Sequence, residues 1–180
     1  MTNAEHPPEI FDVVDGDDHV IGQASRSEVH ARKLRHRAVH ILVFNTRREL
    51  FVQKRSAAKD TFPRCYDSSA SGHLASGEDY DVCAGREIQE ELGLVVPMES
   101  LRKHFKIEAC EDTSCEFVWV YSVVTNEAPT INLEELESGE FWTHDRVKST
   151  LTVHPEQFAR SFVRVFHEFD KRGLWPSPRQ

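Results

Sequence analysis

Three glutamates crowd one short stretch, Arg86-Glu87-Ile88-Gln89-Glu90-Glu91. On a helix that turns about 100° per residue, Glu87 and Glu91 lie ~40° apart, and the three acids span about 100° of one side. Like charges held that close repel one another. A hard divalent cation relieves the repulsion, and Mg²⁺ favours a few carboxylates completed by the oxygens of a phosphate compound. The same kind of run also occurs on ordinary solvated helix faces, so the acids alone leave both readings open. Ala84, Ile88 and Leu92 fall four apart beside them. That apolar stripe predicts a helix docked on a sheet, with the acids turned away from the core.

The elements that must position this helix follow from pattern and punctuation. The helix itself is expected over 79–92, with Gly93 as its stop. Upstream, 10–14 and 19–22 around the Asp15-Gly16-Asp17-Asp18 turn read as a hairpin. Ser25 can cap a short helix running to about His30. The apolar, β-branched run 38–44 reads as a buried strand, turned by 45–48 into a second at 50–54, and Phe62-Pro63 breaks the pattern. Strands are expected near 104–109 and 117–124, with a short one near 140–143. Val153, Phe158, Phe162, Val165, Phe166 and Phe169 recur at helical spacing, which predicts one packing helix with Pro155 in its first turn. The order of β-rich, helix, β-rich and helix segments predicts an α/β fold, a mixed sheet between helices.

The wider spacing decides between the two readings of the acids. Gly72, five residues, Glu78, seven residues, Arg86-Glu87-Ile88, one residue, Glu90-Glu91, one residue, Gly93-Leu94 resembles the Nudix box at all nine defined positions of a 23-residue frame. The resemblance implies an α/β/α sandwich and hydrolysis of a diphosphate linked to another group. It implies that Glu87, Glu90 and Glu91 hold Mg²⁺ or Mn²⁺, helped by the carbonyl of Gly72. Glu78 would pair with Arg86 and brace the loop against the helix. The metal would neutralise the diphosphate and acidify a water that attacks phosphorus. Glu90 is the first candidate for the general base.

Outside the box, residues 36–91 look like the isopentenyl-diphosphate isomerase-like branch of that family. The segment 54–63, Lys-Arg-Ser-Ala-Ala-Lys-Asp-Thr-Phe-Pro, resembles the branch's basic strand end and its Pro loop. By that resemblance Arg55 and Lys59 bind the diphosphate, and cations just past a strand suit phosphate oxygens; an ordinary solvated turn is the other reading. His36 and His73 match a second, histidine-rich metal site of the isomerases. His30 joins it if one residue is deleted before His36. Glu116 matches one of its two glutamates, while the other is Ser114. The set would suffice for Zn²⁺ or Mn²⁺, and three unrelated polar histidines are the alternative. The isomerase cysteine that exchanges a proton aligns with Ser71, whose hydroxyl is a far weaker acid and base. Cys65 lies six residues off. The resemblance therefore favours hydrolysis over isomerisation, with an isopentenyl-diphosphate isomerase and a non-catalytic nucleotide sensor as alternatives.

Composition sets the outer bounds. The 180 residues carry 22 basic and 30 acidic side chains, a net charge of −8, with 39% hydrophobic residues and a mean hydropathy of −0.52. No window approaches the ~18 apolar residues of a membrane span, and the N-terminus has no basic-then-apolar leader. Acid in excess of base argues against nucleic-acid binding. Cys65, Cys83, Cys110 and Cys115 form no C-x-x-C pair, which argues against a zinc ribbon; a core of this size does not need a disulfide framework, and reduced thiols in the cytoplasm are expected. Residues 1–9 read as a loose end and 10–180 as a single domain. The expected partner is a small diphosphate, with a homodimer left open. Phe62, Tyr66 and Trp119 are candidates to stack on a base, although Trp119 and Trp142 also suit a core.

Overall fold

The computed structural model describes residues 9–177, so the expected loose end lies, except for Glu9, outside the described residues. The hairpin forms as expected, β1 (Ile10–Val14) against β2 (Val20–Ser25). Ser25 accepts a hydrogen bond from the Glu28 N–H and opens α1 (Arg26–Arg32), supplying an acceptor that the helix start lacks. The hairpin is tied to the body by two buried or half-buried aspartates. Asp12 accepts from Ser76 Oγ at 2.7 Å and from the Gly77 N–H at 2.9 Å. Asp18 accepts from Arg37 Nε at 2.7 Å and from the Tyr80 hydroxyl at 3.0 Å.

Among the described residues the main sheet has seven strands. They are β3 (His36–Phe44), β4 (Leu50–Arg55), β5 (Tyr66–Asp67), β6 (Ala70–His73), β7 (Arg102–Ile107), β8 (Glu116–Val124) and β9 (Leu136–Trp142). Their order is β5-β4-β3-β8-β7, with β6 also on β3 and β9 on β4. The β3–β8 pair is parallel and the remaining pairs are antiparallel, which makes the sheet mixed. Alternation along β3 separates two cores. Val39, Ile41 and Val43 pack with Cys83, Ala84, Ile88 and Leu92 of α2 (Tyr80–Leu92) on one face. Ala38, Leu42 and Phe44 pack on the other with α3 (His144–Val153) and α4 (Arg160–Lys171). The result is the expected α/β/α sandwich.

The C-terminal expectation needs correction. The apolar spacing does not belong to one helix. Proline has no N–H and disfavours helical geometry in the residue before it. His154 accordingly sits at φ −133°, ψ 57°, and α3 ends at Val153. Pro155 instead opens a separate 3-10 turn, and Val153 is 67% exposed. Phe158 runs extended, the Ala159 N–H donates to the Tyr66 carbonyl at 2.9 Å, and α4 starts only at Arg160. Its Phe162, Val165, Phe166 and Phe169 are buried as the spacing implies. The strand near 140–143 is longer than expected, and β5, β6 and α3 are additions to the sequence reading.

Candidate active site

The geometry of α2 brings the box together. Asp79 caps it by accepting from the Asp81 N–H, and Gly93 ends it in the left-handed conformation at φ 64°. Docking through Ala84, Ile88 and Leu92 occurs as read from the stripe. The acids, however, do not all point to solvent: Glu87 is 8% and Glu91 3% exposed, whereas Glu90 is exposed. The reason lies in the sheet. Strands β3 and β4 pair only at Phe44 and Leu50 before they part, while β6 pairs with β3 along 38–41. Glu91 reaches into the gap so formed, accepting from Gln53 Nε2 at 3.2 Å and from the Ser71 N–H at 3.0 Å. Glu87 lies directly against Gly72, where a Cβ would fall inside contact distance of its carboxylate.

Arg86 organises the other side of the acids. Its guanidinium grips Glu78 through Nε and Nη2 at 2.8 and 2.9 Å. It also donates to the His73 carbonyl at 3.1 Å, to Glu87 at 2.7 Å and to Glu90 at 2.9 Å. The Glu78–Arg86 pair thus joins the loop to the helix. Replacing Arg86 by Ala strands Glu78 and the buried Glu87 without their cation and frees a carbonyl. A loss of about 2 kcal/mol in urea unfolding is expected, below the buried-pair range because Arg86 is partly solvated. Lys, which cannot reproduce the fork, should recover less than half of it.

A cavity of about 730 Å³ opens over this region, lined by Gly72, Glu87, Glu90, Glu91, Arg55 and Lys59. Burial pushes the Glu87 carboxyl up to about 8; Arg86 opposes the shift and Glu91 adds to it. Burial likewise raises Glu91 to about 7, against the pull of Lys59 and the Ser71 N–H. Two desolvated carboxylates side by side, one of them 4.0 Å from the nearest lysine nitrogen, form a site short of positive charge. Lys59 also contacts Glu135. Arg55 donates to Asp67 at 3.0 Å and to the Thr61 carbonyl at 3.1 Å.

The histidines converge beside this cavity, which His73 and Glu116 line. His30, His36 and His73 offer nitrogens that lie within 4.8 Å of one another. His36 Nδ1 is 2.9 Å from the Leu34 carbonyl, which places the ring proton there and leaves Nε2 as an acceptor facing the cluster. The Nε2 atoms of His30 and His36 are buried without a partner. Glu116 Oε1 stands 2.9 Å from His73 Nε2 and 3.6 Å from His36 Nε2. Burial alone would raise the Glu116 carboxyl, but the hydrogen bonds and charge that His36 and His73 supply when protonated outweigh it and hold it well below the usual range. Burial lowers His30 to about 4. Phe11 of β1 stacks on His73 at 4.9 Å, so the hairpin and α1 wall the cluster.

Of the stacking candidates, Phe62 lines the cavity. Tyr66 instead packs on Trp142 and Phe158, and Trp119 packs near Tyr80 beneath Lys103. Trp142 is core. All four cysteines are free thiols. Gln53 and His40 are polar residues that the sequence reading passed over. Both are buried; His40 interrupts an apolar run, and that was its signal, whereas Gln53 stands at the end of one, directly before Lys54 and Arg55. Asp67 lies in the two-residue β5, too short for a pattern, and left none.

Comparison with known proteins gives the family and the fold. A family model described as NUDIX domain matches residues 34–165, and the chain belongs to that family. It is 30% identical over 157 residues to an isopentenyl-diphosphate Delta-isomerase of Pectobacterium atrosepticum, covering 86% of this chain and 87% of the relative. It is 29% identical over 170 residues to a prenyl-diphosphate phosphatase of Methanosarcina mazei, covering 90% and 98%. The crystal structure of DR0079 from Deinococcus radiodurans superimposes with a TM-score of 0.72 at 28% identity, over 81% of this chain and 90% of that one. These likenesses fit the isomerase-like branch. Among the described residues no helix is long and apolar enough to cross a membrane.

Proposed function

We propose that residues 10–180 act as one unit, a divalent-metal-dependent hydrolase that cleaves the diphosphate linkage of a nucleoside diphosphate or derivative. The observation that carries this reading is the burial of Glu87 and Glu91 in a cavity that Arg55 and Lys59 also line. Isolated buried carboxylates are costly, and a hard cation suits two of them beside the open carboxylate of Glu90. The close fit of Glu87 on Gly72 supports the same assignment. Glu87, Glu90, Glu91 and the Gly72 carbonyl would hold Mg²⁺ or Mn²⁺, with Glu78 and Arg86 fixing their geometry. When bound, the ion supplies charge neutralisation and an acidified water. Arg55 and Lys59 would orient the diphosphate and oppose its charge. A panel of nucleoside, sugar-nucleotide and prenyl diphosphates with Mg²⁺ or Mn²⁺ should release phosphate or a monophosphate. Absence of product from every compound with both ions would refute the reading.

A second reading, isopentenyl-diphosphate isomerisation, is favoured by the histidine cluster and opposed by Ser71. The cluster suits a further ion whichever reaction occurs, because its orphaned Nε2 atoms and Glu116 supply nitrogen and oxygen donors. Titration calorimetry with Zn²⁺ or Mn²⁺ should detect it, and His36→Asn should weaken that binding by about 100-fold or more. Conversion of isopentenyl to dimethylallyl diphosphate by the doubly loaded protein would favour the second reading over the first.

A further inference from the structure

The cavity has one more ionisable wall. His40 lies mid-strand on β3, opposite Ser71 of β6, is 3% exposed and lines the cavity. By alternation it projects on the side of Ala38 and Leu42, away from α2. Its Nδ1 is 2.7 Å from Ser68 Oγ and 3.8 Å from Asp67 Oδ1. Asp67 is 2% exposed and immobilised by Arg55 at 3.0 Å and by the Ser68 N–H at 2.7 Å. The Ser68 hydroxyl can accept from Nδ1, and the fixed carboxylate 3.8 Å away favours that arrangement, with the proton on Nδ1 and a lone pair on Nε2. Among the described residues Nε2 has no hydrogen-bond partner, and it is not among the buried atoms sealed from solvent. It therefore opens on the cavity.

A neutral acceptor in that position repels phosphate oxygens. It needs a partner that carries a proton, and hydrolysis supplies one in the attacking water. We propose that His40 is the general base of this hydrolysis, an assignment that rests on the reading above. His40 Nε2 takes a proton from the water as the water oxygen bonds to phosphorus. The anhydride P–O bond breaks, and its electron pair leaves on the departing phosphate oxygen. The charged and titratable groups around the ring are Asp67 of β5, Arg55 of β4, His73 of β6 and Glu116 of β8. Burial lowers the imidazole pKa more than Asp67 and Glu116 restore it, so the base form persists at neutral pH. Glu90, the earlier candidate, is tied to Arg86 on the rim.

Two measurements test the assignment. Long-range ¹H–¹⁵N spectra of the full chain at pH 7 should show His40 protonated on Nδ1; protonation on Nε2 overturns the proposal and needs no variant. His40→Gln should lower kcat by about 10²–10⁴-fold with little change in KM, and free imidazole should partly restore His40→Ala. Unchanged kcat, or a loss confined to KM, overturns the base while leaving the hydrolase standing. A wild-type protein that turns over no diphosphate overturns both. Should His40→Gln fail to fold, the tautomer in the wild-type chain decides.

Discussion

Glu91→Gln is expected to lower kcat by about 10³-fold, corresponding to the several kcal/mol that a bound metal contributes to the transition state. The substitution is nearly isosteric. The Gln53 and Ser71 donors that hold Oε2 keep an acceptor, while the anionic charge that would bind the ion is gone. The metal-free protein should lose little stability, because Gln removes a desolvated carboxylate from the interior. Steady-state kinetics with Mg²⁺ and urea unfolding without it separate the two effects. Glu90 provides the contrast. Its carboxylate is exposed and shared with Arg86, so Glu90→Gln should cost about tenfold or less. Equal losses at both positions would mean that burial is not what singles out Glu91, and an active Glu91→Gln would defeat the metal assignment.

The contrast between these glutamates also marks how far the sequence could be read. Helical periodicity placed α2 and its docking stripe correctly, and the caps at Asp79 and Gly93 follow from local chemistry. Periodicity says which way a side chain leaves its own helix and nothing about the surface opposite. Glu87 and Glu91 were therefore expected away from the core. Their burial depends on β4 leaving β3 after a single paired position, a long-range property of the sheet. The two-residue β5 and four-residue β6 are too short for alternation to reveal. They carry Asp67, Ser71, Gly72 and His73, so part of the site stays hidden until the sheet is assembled. Family resemblance named Gly72 and His73 where pattern could not, and the nitrogens of His30, His36 and His73 lie within 4.8 Å of one another in the folded chain. Proline was the signal underweighted at the C-terminus, where regular apolar spacing ran across Pro155 and two helices read as one.

Gly72→Ala should affect function far more than folding. Gly72 sits in β6 opposite Val39, on the face covered by α2, and the added methyl would strike the Glu87 carboxylate. Those atoms are the tip of a side chain rather than backbone, so Glu87 can swing aside and the sheet can remain paired. The expected stability loss is at the lower end of the overpacking range, about 1–2 kcal/mol. The displaced carboxylate, however, leaves the position from which it faces the cavity, and charge placed an ångström away stabilises a transition state poorly. A fall in kcat of about 10²-fold or more is expected, with Mg²⁺ affinity weakened in parallel. A double-mutant cycle isolates the cause. Once Glu87 is Ala, the methyl at 72 has nothing to displace. Gly72→Ala should then cost little further activity or metal affinity, and the two substitutions should be strongly non-additive. Additive losses would show that Gly72 serves the site by some route other than seating Glu87.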